Sequence, residues 1–96
     1  MPLISAALLM ARVERNRRAA RDPQALLWAR TAVFAAPMSA DAWVTLGEVY
    51  KDLSCWKLLR VANMAATRLD PTHVIAWLNV GIGATAQHRW SEALDA

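Results

Sequence analysis

The stretch Ala42–Tyr50, AWVTLGEVY, places Trp43, Leu46, Gly47 and Tyr50 three, four and seven residues along from its tryptophan. These are helical intervals, so the four residues share one face of a helix. A glycine inside a helix costs about 1 kcal/mol relative to alanine. Its presence on the packed face implies that a second helix comes close there, because the distance between helix axes depends on the side chains at the contact.

Working outward, the same pattern returns. Trp43 recurs as Trp77, Gly47 as Gly81, Trp56 as Trp90, Pro37 as Pro71 and Ala32 as Ala66, each after 34 residues. A fixed period of this length is the mark of stacked helical hairpins. The residues that carry it resemble the tetratricopeptide repeat family, whose motif runs Trp-x2-Leu-Gly-x2-Tyr, then a small residue, Ala and Pro. Trp43, Leu46, Gly47 and Tyr50 match its first part, and Ala66 and Pro71 its later part. The next copy keeps Trp77, Gly81, Trp90 and Ala93, and the first keeps Ala25, Ala32 and Pro37 behind a degenerate opening helix. The resemblance spans nearly the whole chain and is specific for fold, not for function.

The fold implied is all-α: a right-handed solenoid of antiparallel helix hairpins, about two and a half to three repeats long. Residues 1–39 form a degenerate first repeat with its N-terminal helix, 40–73 the second, and 74–96 a third truncated in its second helix. Helices are expected at roughly 3–19, 22–36, 40–53, 55–69 and 73–87, with a sixth starting near 90 and His88 in the turn before it. Asp22-Pro23 is a start signal, and Ser39 or Asp41, and Thr72, are the expected caps of later helices. In the family, Ala usually stands opposite the motif glycine. Ala25 and Ala93 comply and Leu59 does not, so the second hairpin is either splayed or points Leu59 into the space beside Gly47. The C-terminal SEALDA carries no polar cap, which an exposed repeat edge requires, so either further repeats or another chain is expected to cover it.

Composition narrows the function classes. Apolar residues make up 56% of the chain, too many for disorder. A net charge of +3 permits an anionic partner without requiring one. Cys55 is the only cysteine, which excludes an internal disulfide and a cysteine-built zinc site; a reducing, cytoplasmic location is the simplest reading. The N-terminal apolar run is too short to span a bilayer, and its positive charge follows rather than precedes it, so it reads as the first helix and not as a signal. His73 and His88 have no metal-ligand spacing, and there is no glycine-rich phosphate loop or nucleophile elbow. No cofactor, metal or catalytic residue is assigned, and the chain does not read as an enzyme in its own right.

Binding residues follow from the resemblance. The first helix of each repeat lines the concave groove, which selects Val44, Glu48 and Lys51 in the second repeat and Leu78, Ile82 and Thr85 in the third, with Asp41 and Ile75 just upstream. Met10, Glu14 and Arg17 are their counterparts in the first. Some family members grip a C-terminal carboxylate with Lys, Asn and Arg at such positions; this chain lacks that set, although Asn79 is nearby. Ile75, Leu78 and Ile82 form one apolar stripe suited to a partner helix. Trp43, Trp77, Trp56 and Trp90 are expected in the core; Trp28 has no partner in register, and an interface role is the minority reading of it. Arg12, Arg15, Arg17, Arg18 and Arg21 spread over more than half of the first helix and read as a solvated face, or alternatively as a contact for an anionic partner. The reading is a protein–protein interaction scaffold or adaptor that holds a protein or peptide segment, with self-association through the uncapped edge as a further expectation. The alternatives are the repeat region of a larger enzyme and a basic subunit that associates with RNA or a membrane.

Overall fold

A computed structural model describes residues 5–95, with side chains at Ser5 and 7–89. It contains α1 (Ala6–Arg18), α2 (Asp22–Ala35), α3 (Ala40–Asp52), α4 (Trp56–Leu69) and α5 (Val74–Asp95). All regular structure among the described residues is helical. Consecutive helices pack on one another, and α3 also meets α1 and α5. The result is a flat layer of 52 × 31 × 17 Å.

The hairpin turns explain where helices stop. At the end of α1, Arg21 N–H donates to Asn16 C=O (2.8 Å) and Ala20 N–H to Arg17 C=O (3.0 Å). At the end of α3, Cys55 N–H donates to Tyr50 C=O (2.9 Å) and Ser54 N–H to Lys51 C=O (3.0 Å). Both are Schellman closures, and the residue at their centre is left-handed, with φ 57° at Ala20 and at Ser54. Neither is a glycine, so each conformation costs about 1–2 kcal/mol that packing across the hairpin must offset.

His88 stands 34 residues after Ser54, at the same register, yet α5 passes straight through it to Asp95. The expected break before a sixth helix is therefore absent, and His88 lies within a helix rather than in a turn. A left-handed residue here would carry the same cost as at Ser54, where packing across the α3–α4 hairpin offsets it; among the described residues no segment folds back on α5 to do so.

The inter-repeat turns carry a repeated device. Trp43 Nε1–H donates to Pro37 C=O (2.8 Å), and Trp77 Nε1–H donates to Pro71 C=O (2.7 Å). The co-repetition of Trp and Pro thus has a direct cause: the indole pins the turn six residues behind it. Ser39 Oγ caps α3 by accepting from Ala42 N–H (3.3 Å). At α5 the cap is His73, whose Nδ1 accepts from Ala76 N–H (3.2 Å), and not Thr72. Thr72 instead donates from its hydroxyl to Asp70 (2.6 Å), which the adjacent Pro71 turn brings within reach. Asp22 falls at the first position of α2, and the preceding Arg21 makes no side-chain cap.

The glycines divide in an unexpected way. A Cβ on Gly47 would run into the Asn63 side-chain amide and stand 3.5 Å from Leu59 Cδ1. Leu59 is fully buried and does fill the space beside Gly47, so the second hairpin closes around it instead of splaying. A Cβ on Gly81 would meet nothing within 4 Å, so the close approach expected there does not occur. Gly83 provides it instead: a Cβ there would sit 3.1 Å from Trp56 C=O and from Arg60 Cβ, where α5 crosses α4. Among the described residues no segment covers the Gly81 side, which stays open.

Candidate interaction surface

The sequence-selected groove residues separate into two groups. Val44 is 8% exposed and packs with Ala66 and Ala76, sealing α3 against the neighbouring helices. Glu48 is also engaged: Oε2 lies 2.9 Å from Lys51 Nζ and 3.6 Å from the Arg17 guanidinium, while Oε1 accepts from Asn79 Nδ2 (2.7 Å). Val44 and Glu48 therefore tie α3 to the neighbouring helices, while Lys51 pairs with Glu48 along α3 and stays partly exposed. Asn79 is buried, with its amide also donating to Asn63 Oδ1 (3.3 Å), so it presents nothing to a partner's carboxylate.

The second group is exposed. Ile75, Leu78 and Ile82 are 53%, 61% and 36% exposed, and Thr85 is open as well. Leu78, Ile82 and Thr85 line an open concavity of about 590 Å³ together with Trp77, Gly81, Ala86 and Arg89. Trp77 was expected in the core, yet it is 54% exposed even with its indole N–H bonded to Pro71. The comparison one repeat earlier gives the reason. Trp43 is half-buried against both core clusters, Val44 is sealed by Ala76, and Gly47 is covered by α4. Their counterparts Trp77, Leu78 and Gly81 have no such neighbours. The concavity thus lies at α5 positions whose counterparts on α3 are covered by neighbouring helices. Sequence reasoning reached Leu78, Ile82 and Thr85 but missed Trp77 and Arg89, which the period alone equates with packed positions.

Trp56 packs against the core as expected. Trp90 and Ala93 lie in α5, outside the residues whose side chains are described. Trp28 is not an open interface residue: it packs on the core, and the Arg12 guanidinium lies 4.8 Å from its ring centroid. Arg17 is likewise committed, with Nε 2.6 Å from Asp52 and NH1 3.0 Å from Glu14. The hydrogen bond to Asp52 pushes its pKa further above the ordinary arginine range, so it is always charged. Of the five arginines only Arg15, Arg18 and Arg21 remain on the exposed surface without such a commitment, and the basic face is smaller than its sequence suggests.

Among the described residues no three of His, Cys, Asp and Glu come together to hold a metal, and no helix is long and apolar enough to cross a membrane. His73 is spoken for by its capping role and by Asp41, 2.9 Å from Nε2.

Superposition on known structures identifies the architecture. The Arabidopsis OM64 TPR domain matches with a TM-score of 0.83, over 93% of this chain and 74% of that one, at 16% identity. The chain has the tetratricopeptide repeat fold. No protein-family model and no curated protein sequence matches it. The tetratricopeptide architecture accounts for the hairpin period and for the unfilled side of α5, because in a stack of repeats each helix pair buries its face against the next.

Proposed function

We propose that the chain is a protein–protein interaction scaffold whose docking face is the open apolar side of α5. One observation carries this reading: Trp77, Leu78 and Ile82 surround an unfilled concavity, whereas Trp43 and Val44, one repeat earlier, are covered. The partner chemistry that fits is an apolar helical segment laying small or aliphatic side chains between Trp77 and Ile82. Covering each large side chain contributes roughly 1–2 kcal/mol, since each is already partly buried. Ile75 extends the stripe at one end. Arg89 at the other would favour an acidic residue on the partner and so set its direction. Glu48 supports this face by accepting from Asn79 and so fixing α3 against α5. A reducing, cytoplasmic setting suits the single free Cys55.

The test is affinity capture from native extract with the wild-type chain and with a Leu78→Glu/Ile82→Glu variant. Both positions are exposed, so helicity by circular dichroism should be unchanged while face-dependent partners disappear. Recovery of the same proteins by both chains refutes the α5 face. Binding through Arg15, Arg18 and Arg21 to RNA or anionic lipid would instead survive the double substitution and weaken steeply with salt.

A further inference from the structure

α1, α3 and α5 form one row of the layer, and α2 and α4 form a second row laid against it. The two helices of the second row turn equivalent faces inward. Ala25, Ala29 and Ala32 are buried on α2, and Leu59, Asn63 and Ala66, each 34 residues later, are buried on α4. Their opposite stripes therefore share one outer surface. On α2 it shows Leu27, Arg30 and Phe34. On α4, at the same register, it shows Val61, Met64 and Arg68, with Lys57 one turn before Val61. All are exposed, and Phe34, at 89%, is the barest large apolar side chain among the described residues.

Charge is sorted between the two rows. No Asp or Glu occurs from Pro23 to Ala40 or from Leu53 to Leu69, whereas Glu14, Asp41, Glu48 and Asp52 lie on α1 and α3. Arg30, Lys57 and Arg68 make no ion pair among the described residues, in contrast to Arg17. We propose that the outer surface of α2 and α4 docks on an anionic lipid bilayer. Leu27, Phe34 and Val61 enter the headgroup boundary, while Arg30, Lys57 and Arg68 meet lipid phosphates and carboxylates. Apolar side chains interleaved with free cations are the composition of a surface that lies in the membrane interface. Charge complementarity selects an anionic partner, and the layout selects a planar one. The cations stand near both ends of α4 and on α2, with apolar crests between them, so a plane that is negative throughout satisfies all three together. The docking is peripheral, since among the described residues no helix is long and apolar enough to cross a bilayer. No residue of this surface belongs to the open face of α5, so the chain can hold a protein partner and a membrane at once.

The test is co-sedimentation with vesicles of phosphatidylcholine alone and of phosphatidylcholine and phosphatidylserine in equal parts. Binding is expected with the mixed vesicles and not with phosphatidylcholine alone. Arg30→Gln/Lys57→Gln/Arg68→Gln should weaken it on the order of 100-fold, about fivefold per cation. Leu27→Gln/Phe34→Gln/Val61→Gln keeps the charge and should weaken it at least about tenfold. All six positions are exposed, so helicity by circular dichroism should stay at the wild-type level. Arg15→Gln/Arg18→Gln/Arg21→Gln, which removes equal charge from the first helix and its turn, should weaken binding less than the α2–α4 charge variant. Docking on the bilayer is overturned by no binding to mixed vesicles, by equal binding to phosphatidylcholine alone, or by binding indifferent to Leu27→Gln/Phe34→Gln/Val61→Gln. A loss confined to the Arg15, Arg18 and Arg21 variant overturns it as well. So does an apolar variant that abolishes a dimer or the capture of an acidic protein while the wild type ignores vesicles, because the surface then serves a second copy or a polypeptide.

Discussion

Replacing Gly47 and Gly81 by alanine should move stability in opposite directions, although the two glycines occupy the same place in the repeat. At Gly81 a Cβ meets open space, so only helix propensity changes, and Gly81→Ala should stabilise by about 1 kcal/mol. At Gly47 the same gain is offset by overlap with the Asn63 amide. Asn63 is fully buried, and its Nδ2 donates to Leu59 C=O at 2.9 Å while its Oδ1 accepts from Asn79. It cannot swing aside without breaking these bonds. Overpacking costs about 1–3 kcal/mol and a lost buried hydrogen bond about 1 kcal/mol more. The net for Gly47→Ala is a loss of about 2 kcal/mol. For a domain of this size 1 kcal/mol corresponds to about 4–8 °C in Tm. Thermal denaturation followed at 222 nm, at a concentration dilute enough for monomer, should therefore show Gly81→Ala melting above the wild type and Gly47→Ala well below it. Equal shifts of the same sign would refute the claim that α4 closes on Gly47 while the seat at Gly81 is empty.

Three further outcomes are expected. Ala20→Gly and Ser54→Gly relieve the left-handed strain of the two turns, and each should stabilise by roughly 0.5–1 kcal/mol in urea unfolding after the glycine's added unfolded-state entropy is counted. Arg17→Leu removes the cation shared by Glu14, Glu48 and Asp52 and should cost about 1 kcal/mol at low salt and less in 1 M salt. Its raised pKa keeps the arginine charged at every accessible pH, and the comparison between low and high salt at neutral pH, where its carboxylate partners are ionised, reveals the contribution. Asp70 is held below the ordinary aspartate range, first by the Thr72 hydroxyl and then by the Thr72 N–H. The stabilisation from that contact is complete above the unfolded aspartate pKa and is lost as pH falls through the lower folded value. Carboxyl titration by NMR should show the Asp70 midpoint rising in Thr72→Val.

Much of the architecture was legible because it depends on period. Spacings of three, four and seven residues set the helices, and the 34-residue recurrence set their stacking. The Trp–Pro pairs were visible as a correlation, whose cause is the indole-to-carbonyl bond. The site was only half legible. Leu78, Ile82 and Thr85 lie together as their spacing implies, but Val44 and Glu48 occupy equivalent register positions and are buried or bonded. A periodic rule assigns equivalent positions equivalent roles, whereas burial depends on which helices pack against each one.

Sequence by itself determined the helical period, the turns anchored by Pro37 and Pro71, and the need for a side-chain-free contact at Gly47. These follow from local geometry, in which each residue answers to neighbours a few positions away. Tertiary structure alone decided that Leu59 and Asn63 close on Gly47, that Arg17 serves three carboxylates and that Gly83 takes the close contact with α4. It also decided that α5 runs unbroken past His88. A hairpin turn at that position costs left-handed strain, and only packing between distant segments can offset it, which no local pattern records.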